Sequence, residues 1–226
     1  MGVFCSRPEG SKQAERLAQM EKFINLDDKK KQKILDAALQ EFAEHGYQQA
    51  STNRIVKKAE IGKGMLFYYF KSKKELYEYL IEHSLDFVVN AYFKQVDTAE
   101  TDFIERLKQA AQVKMKAQLE NEQVFNFLGS LVLAKEAEMP PHLQKKYTEL
   151  NTLAAALMYE GIDKSLIRKE LDADKAFQLI RWSIEGYQNE LLQRLEGSKM
   201  TTIDFGPYWE EFYGYLDILK KSFYRE

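Results

Sequence analysis

The chain has 226 residues, 45% hydrophobic and 30% charged, a balance that can bury a sizeable core and excludes intrinsic disorder. Its formal net charge of −2, from 33 Lys and Arg against 35 Asp and Glu, taken whole argues against a nucleic-acid partner. Only four prolines and eleven glycines interrupt long runs of Leu, Ala, Glu, Lys and Gln, so an all-α fold is expected.

The longest near-apolar stretch, residues 125–134, contains Asn126 and Ser130 and falls well short of a membrane span. The N-terminus lacks the apolar core of a secretory signal, and the single cysteine, Cys5, can close no intramolecular disulfide. The expectation is a cytoplasmic protein with no membrane partner.

Residues 1–25 hold only the short polar run SKQAERLAQMEKF and read as a loose N-terminal extension. Met20 stands just ahead of the ordered pattern and is a candidate alternative start. From Asp27 or Asp28, either a suitable cap, Ile34, Leu35, Ala38, Leu39 and Phe42 recur at helical spacing until Gly46 supplies a left-handed stop. Ser51 caps a short second helix with Ile55, Val56 and Ala59 inward, broken by Glu60, Ile61 and Gly62. A third helix, residues 63–70, is expected to bury Leu66, Phe67 and Phe70 and to turn Met65, Tyr68 and Tyr69 outward.

Ser72 and Glu75 form a capping box at the start of a helix expected to run to about Val96. Further helices are predicted near 101–119, 122–138, 140–160, 173–196 and 207–223. Pro140 or Pro141 and Pro207 sit near first-turn positions, and Gly161 and Gly197 act as stops. The total is about nine helices in three parts: an extension (1–25), a helix-turn-helix module (26–76) and a larger helical body (77–226).

Charge is unevenly spread. Residues 28–74 hold eleven Lys and Arg against five Asp and Glu, or +6, while the remainder holds 22 against 30, or −8. A basic footprint on an acidic body is what a DNA-binding module needs, since only the contacting surface must neutralise phosphates. Two short helices behind a longer supporting helix can place one exposed helix in a major groove about 12 Å wide. An outward Met65, Tyr68 and Tyr69 would leave apolar and aromatic surface in water unless something covers it. Tyrosine hydroxyls can donate to phosphates or base edges, and Gly64 leaves room for close backbone approach. Lys73 and Lys74, in the first turn of the fourth helix, suit a phosphate there.

The stretch ASTNRIVKKAEIGKGMLFYYFKSKKEL resembles the DNA-binding signature of TetR-family transcriptional regulators over about fifty residues, Leu26 to Leu76. The resemblance implies that Ser51, Thr52 and Asn53 touch phosphates, that Lys63, Gly64, Met65, Tyr68 and Tyr69 enter the groove, and that Lys73 clamps the backbone. Three positions depart from the family pattern. Glu60 replaces a turn glycine, Gly62 replaces a serine cap, and Phe67 replaces a tyrosine whose hydroxyl often meets phosphate.

For residues 77–226 the resemblance is one of architecture, a body that dimerises and encloses an effector. It implies a dimeric repressor on a pseudo-palindromic operator, released by a small molecule. Phe177, Ile180, Ile184, Tyr187, Leu191, Trp209, Phe212, Leu216 and Leu219 suit a four-helix dimer interface or, equally, ordinary core stripes. Met115, Phe125, Phe127, Met158, Tyr159 and Trp182 are candidate pocket residues or core, and imply a largely apolar effector.

No catalytic residue, metal site or cofactor is expected. The chain has no Gly-x-Ser-x-Gly elbow, phosphate loop or His-Glu-x-x-His, and His45, His83 and His142 lie on separate helices. The alternative reading is a helical small-molecule carrier or scaffold without DNA binding, for which the basic segment would be plain surface.

Overall fold

A computed structural model describes residues 21–133 and 139–225. Among these, the chain forms nine α-helices: α1 Asp28–Gln49, α2 Thr52–Lys58, α3 Lys63–Tyr69, α4 Lys73–Ala91, α5 Phe103–Glu120, α6 Glu122–Leu133, α7 Pro141–Tyr159, α8 Ala173–Arg194 and α9 Gly206–Phe223. A helical segment over 21–24 precedes them, and the only bridge among the described residues is a single antiparallel pair, Ile167 with Tyr224. None of the helices is long and apolar enough to cross a membrane. The tail of the helix expected over 122–138, and the first twenty residues of the expected extension with Cys5, lie outside the described residues.

The local signals act where the chain places them. Asp27 caps α1 by accepting from the Lys30 amide at 3.2 Å, and Asp102 and Asp172 cap α5 and α8 through their own carboxylates. Gly46, Gly161 and Gly197 each take a positive φ, of 64°, 69° and 76°, where helices break. The expected capping box is half formed. Ser72 accepts from the Glu75 amide at 3.1 Å, but the Glu75 carboxylate reaches back to the amide of Lys71 instead of Ser72. The fourth helix stops at Ala91, short of Val96, and ends in a 3₁₀ turn over Phe93–Gln95.

The apolar stripes assemble into two cores. The first joins α1, α2, α3 and the first half of α4 to Val124 and Phe127 of α6 and Leu143 of α7. Phe127 is fully buried there, 6.4 Å from Phe42 and 5.8 Å from Tyr77 between ring centroids. Phe127 therefore belongs to the junction of head and body, a correction to its reading as a pocket residue. The second core joins α5, α8 and α9 through Phe103, Ile104, Ile180, Ile184 and Leu216.

Two sequence expectations change at these cores. Residues 21–25 are no loose extension: Phe23 is fully buried, 4.9 Å from Phe70 and 5.4 Å from both Tyr69 and Tyr79. Its arrival on α3 rotates the inward sector to Leu66, Tyr69 and Phe70, the i, i+3, i+4 set, and leaves Phe67 half-buried. Tyr69 is 9% exposed, so its expected outward aim is corrected.

In the body, Phe177, Ile180, Ile184, Phe212, Leu216 and Leu219 all lie in the intrachain core, with Tyr187 and Trp209 packed partly against it. The six buried ones are covered within the chain by α5 and the α8–α9 pairing, while Tyr187 and Trp209 keep part of their surface. Leu191 is half-buried. The large apolar residues left exposed are Leu179, Trp182 and Leu192 on α8 and Tyr215 and Ile218 on α9, with Trp182 59% and Ile218 60% exposed. Trp182 is thus an outward residue and no pocket wall. Arg106, fully buried on α5, ties α7 to the body by donating to the carbonyls of Leu157 at 3.0 Å and Glu160 at 2.7 Å, and to Thr98 at 3.0 Å.

Candidate nucleic-acid interface

The supporting helix and the helix-turn-helix are locked by one ion pair. Glu41 of α1, 7% exposed, accepts from Arg54 Nε through both oxygens at 2.8 and 3.0 Å, and from the Ser51 amide at 2.7 Å. Arg54 also donates to the Gln49 carbonyl at 2.8 Å. Burial works to raise the pKa of Glu41, but the hydrogen bonds from Arg54 and the Ser51 amide outweigh it and hold the carboxyl below its ordinary value. Ser51 is the N-cap of α2, yet its hydroxyl makes no cap bond, so its amide is tethered by Glu41 and its side chain is left over. Sequence reading missed this pair, since a glutamate and an arginine thirteen residues apart carry no periodic signal.

The turn between α2 and α3 bends at Glu60, a non-glycine residue at φ 57°. The left-handed conformation that favours a glycine is therefore really required, and Glu60 adopts it with its carboxylate 2.5 Å from Lys33 Nζ. The Ile61 amide closes back on the Val56 carbonyl at 3.0 Å, and the Met65 amide on Gly62 at 2.9 Å.

On α3, Lys63, Gly64 and Tyr68 face outward, with Tyr68 52% exposed. A Cβ built at Gly62 or Gly64 would meet nothing within 4 Å, so no contact inside the molecule demands glycine there. Met65 is half-buried against the first core, which reduces the apolar surface expected outside. Asn53, Lys57 and Lys58 are exposed on α2, while Ser51 and Thr52 are half-buried at its start.

Lys73 departs most from expectation. Its ammonium donates to the carbonyls of Tyr47 at 2.7 Å, Ala50 at 3.1 Å and Gln48 at 3.2 Å, and lies 4.8 Å from the Tyr47 ring centroid. All three of its donors are engaged, so it closes the end of α1 onto α4 in place of clamping a phosphate. Lys74 points outward, 3.9 Å from Glu78. Of the ten expected DNA contacts, Asn53, Lys63, Gly64, Tyr68 and Lys74 are exposed, Ser51, Thr52 and Met65 are partly covered, and Tyr69 and Lys73 are turned inward.

Among the described residues, no group of three or more His, Cys, Asp or Glu side chains is placed to hold a metal ion.

Residues 34–80 match the sequence model of the bacterial regulatory proteins of the tetR family. The fatty acid metabolism regulator protein of Bacillus subtilis (strain 168) is 29% identical over 167 residues, 67% of this chain and 78% of its own length. The HTH-type transcriptional repressor KstR2 of Mycolicibacterium smegmatis is 24% identical over 153 residues, 67% of this chain and 74% of its own. The fold is shared with a TetR-family transcriptional regulator of Chloroflexus aurantiacus at a TM-score of 0.60 and 24% identity, covering 91% of this chain and 98% of that one. Residues 34–80, a helix-turn-helix held on a supporting helix, thus carry the DNA-binding module of the bacterial regulatory proteins of the tetR family, and the all-helical chain behind it has the fold of a TetR-family regulator.

Proposed function

We propose that the chain is a homodimeric, effector-released repressor that reads a pseudo-palindromic operator with α3. The observation that carries this is the outward face of α3: Lys63, Gly64 and Tyr68 are exposed, and neither Gly62 nor Gly64 has an internal reason to lack a side chain. A backbone free of Cβ atoms on the exposed side of a basic, aromatic helix fits close approach to a groove. Asn53, Lys63, Tyr68 and Lys74 supply the polar and cationic contacts, with Ser51 and Thr52 at the start of α2.

Two copies pair through Leu179, Trp182, Tyr215 and Ile218, which with Leu192 are the large apolar residues of the α8–α9 pair that its own chain leaves exposed. Such a dimer would present two α3 helices to half-sites about 34 Å apart or somewhat more. Binding of an effector in the body would change the separation of the heads, with a coupling of about 1–3 kcal/mol. Repression is favoured by the relative named as a repressor. A fatty-acid-related effector is favoured by the relative named for fatty acid metabolism.

Phe127 supports this route of coupling, since it carries α6 of the body into the core of the head. The test is a salt titration of binding to promoter fragments near the protein's own gene, comparing the native chain with a Tyr68→Ala, Lys74→Ala double variant. Selective, salt-sensitive binding lost in the variant is expected. Binding that is absent, or unchanged in the variant, would return the protein to the class of helical carriers.

A further inference from the structure

The helical turn ahead of α1 is fixed to α3. The Asn25 amide closes on the Glu21 carbonyl at 3.0 Å and the Leu26 amide on that of Phe23 at 3.1 Å, so the segment is a closed turn. A single turn does not persist alone in water, and what holds this one is Phe23. Its buried ring meets Tyr69 and Phe70 at the end of α3 and Tyr79 of α4 edge-on. From α1, the Lys31 ammonium donates to the Ile24 carbonyl at 3.0 Å and ties the turn a second time.

With Phe23 inward, the residue before it emerges at the edge of the head. The ammonium of Lys22 lies 5.0 Å from the ring centroid of Tyr68, the aromatic side chain that α3 turns outward. Tyr68 in turn packs edge-on against Tyr69 at 5.2 Å, the ring that Phe23 also meets, so pin, cation and outward tyrosine form one connected cluster. Lys22 is exposed, and a cation–π contact at an exposed site is weak. It biases the lysine towards the outer face of α3 without competing seriously with a phosphate. Glu21 does not oppose it, since adjacent residues of a helical turn project from different sides. Residues 34–80 carry the family match, so Lys22 lies outside the matched module.

We propose that Lys22 is a further contact to the DNA backbone, a cation that Phe23 positions beside Tyr68 to meet the phosphates flanking the groove entered by α3. The proposal rests on the reading of α3 as the DNA-reading helix and extends the interface onto a turn that precedes the supporting helix. Phosphate contacts fix register and carry no sequence information, so Lys22 strengthens binding to any duplex.

The experiment is fluorescence anisotropy of the full chain, across a salt series, with duplex promoter fragments from near its own gene and with an unrelated duplex of equal length. Lys22→Ala is expected to reduce the logarithmic salt slope by about 0.9 and to weaken binding to both duplexes about 5-fold at about 0.15 M salt. Its melting temperature should stay at the native value. Lys22→Arg should restore the slope, and Lys145→Ala, at an exposed site on α7, should leave it native. A native slope in Lys22→Ala overturns the proposal, as does a weakened affinity that comes with a lower melting temperature and is not repaired by arginine. The Tyr68→Ala, Lys74→Ala variant separates the two readings. If it loses binding while Lys22→Ala keeps the native slope, α3 still reads DNA and Lys22 is no part of the interface; a native chain that binds neither duplex sinks both.

Discussion

Glu41 and Arg54, thirteen residues apart, meet through three hydrogen bonds of 2.5–3.0 Å and fix the angle between the supporting helix and the helix-turn-helix. Because Glu41 is buried while Arg54 is half-exposed, the two partners are not equivalent. Replacing Glu41 with Ala strips the Ser51 amide and the guanidinium of their acceptor and should cost about 1–3 kcal/mol in urea unfolding. The pKa of Glu41 is lowered in the folded state, so the stability it contributes is present above its usual value of 4.5 and is lost as pH falls through the lower folded value. A stability profile between pH 6 and pH 3 should therefore fall more steeply for the native chain than for Glu41→Gln. Parallel profiles would remove the pair from the account.

Gly64→Ala separates folding from DNA recognition. Open space around the missing Cβ and a position inside α3 mean that alanine should stabilise the fold by about 0.5–1 kcal/mol. The added methyl points to the side on which DNA would approach, so operator affinity should drop while the melting temperature rises. A variant that is both more stable and fully able to bind would place the groove elsewhere.

The neighbouring lysines Lys73 and Lys74 should behave oppositely. Lys73→Ala breaks three bonds to backbone carbonyls and should lower stability by about 1–3 kcal/mol. Lys74→Ala, at an exposed site, should leave the urea midpoint in place and reduce the logarithmic salt slope of DNA binding by about 0.9. Measuring both quantities on both variants assigns each lysine its role, and a reversed pattern refutes the assignment.

For assembly, Trp182→Glu together with Ile218→Glu should yield a folded monomer in analytical ultracentrifugation, since both side chains are exposed in the single chain. By contrast Ile184→Ala, in the intrachain core, should cost about 2–5 kcal/mol of stability without selecting against the dimer. A dimer that survives the double glutamate variant would require a different face.

Much of this protein follows from the sequence by itself. Helix-forming composition, the Asp27 cap, the stops at Gly46, Gly161 and Gly197 and the short α2–α3 pair are local properties, governed by backbone preference and 3.6-residue spacing. The same local patterning located the basic segment and singled out Lys63, Gly64 and Tyr68 of the candidate site. What only the tertiary structure decided is which neighbour covers each face. Phe23, beyond any periodic pattern, draws Tyr69 inward; the broken end of α1 captures Lys73; and α5 covers the stripe of α8 that looked equally suited to a second copy. Periodicity states which residues share a side of a helix, but the choice between core, pocket and interface depends on contacts between segments far apart in the chain.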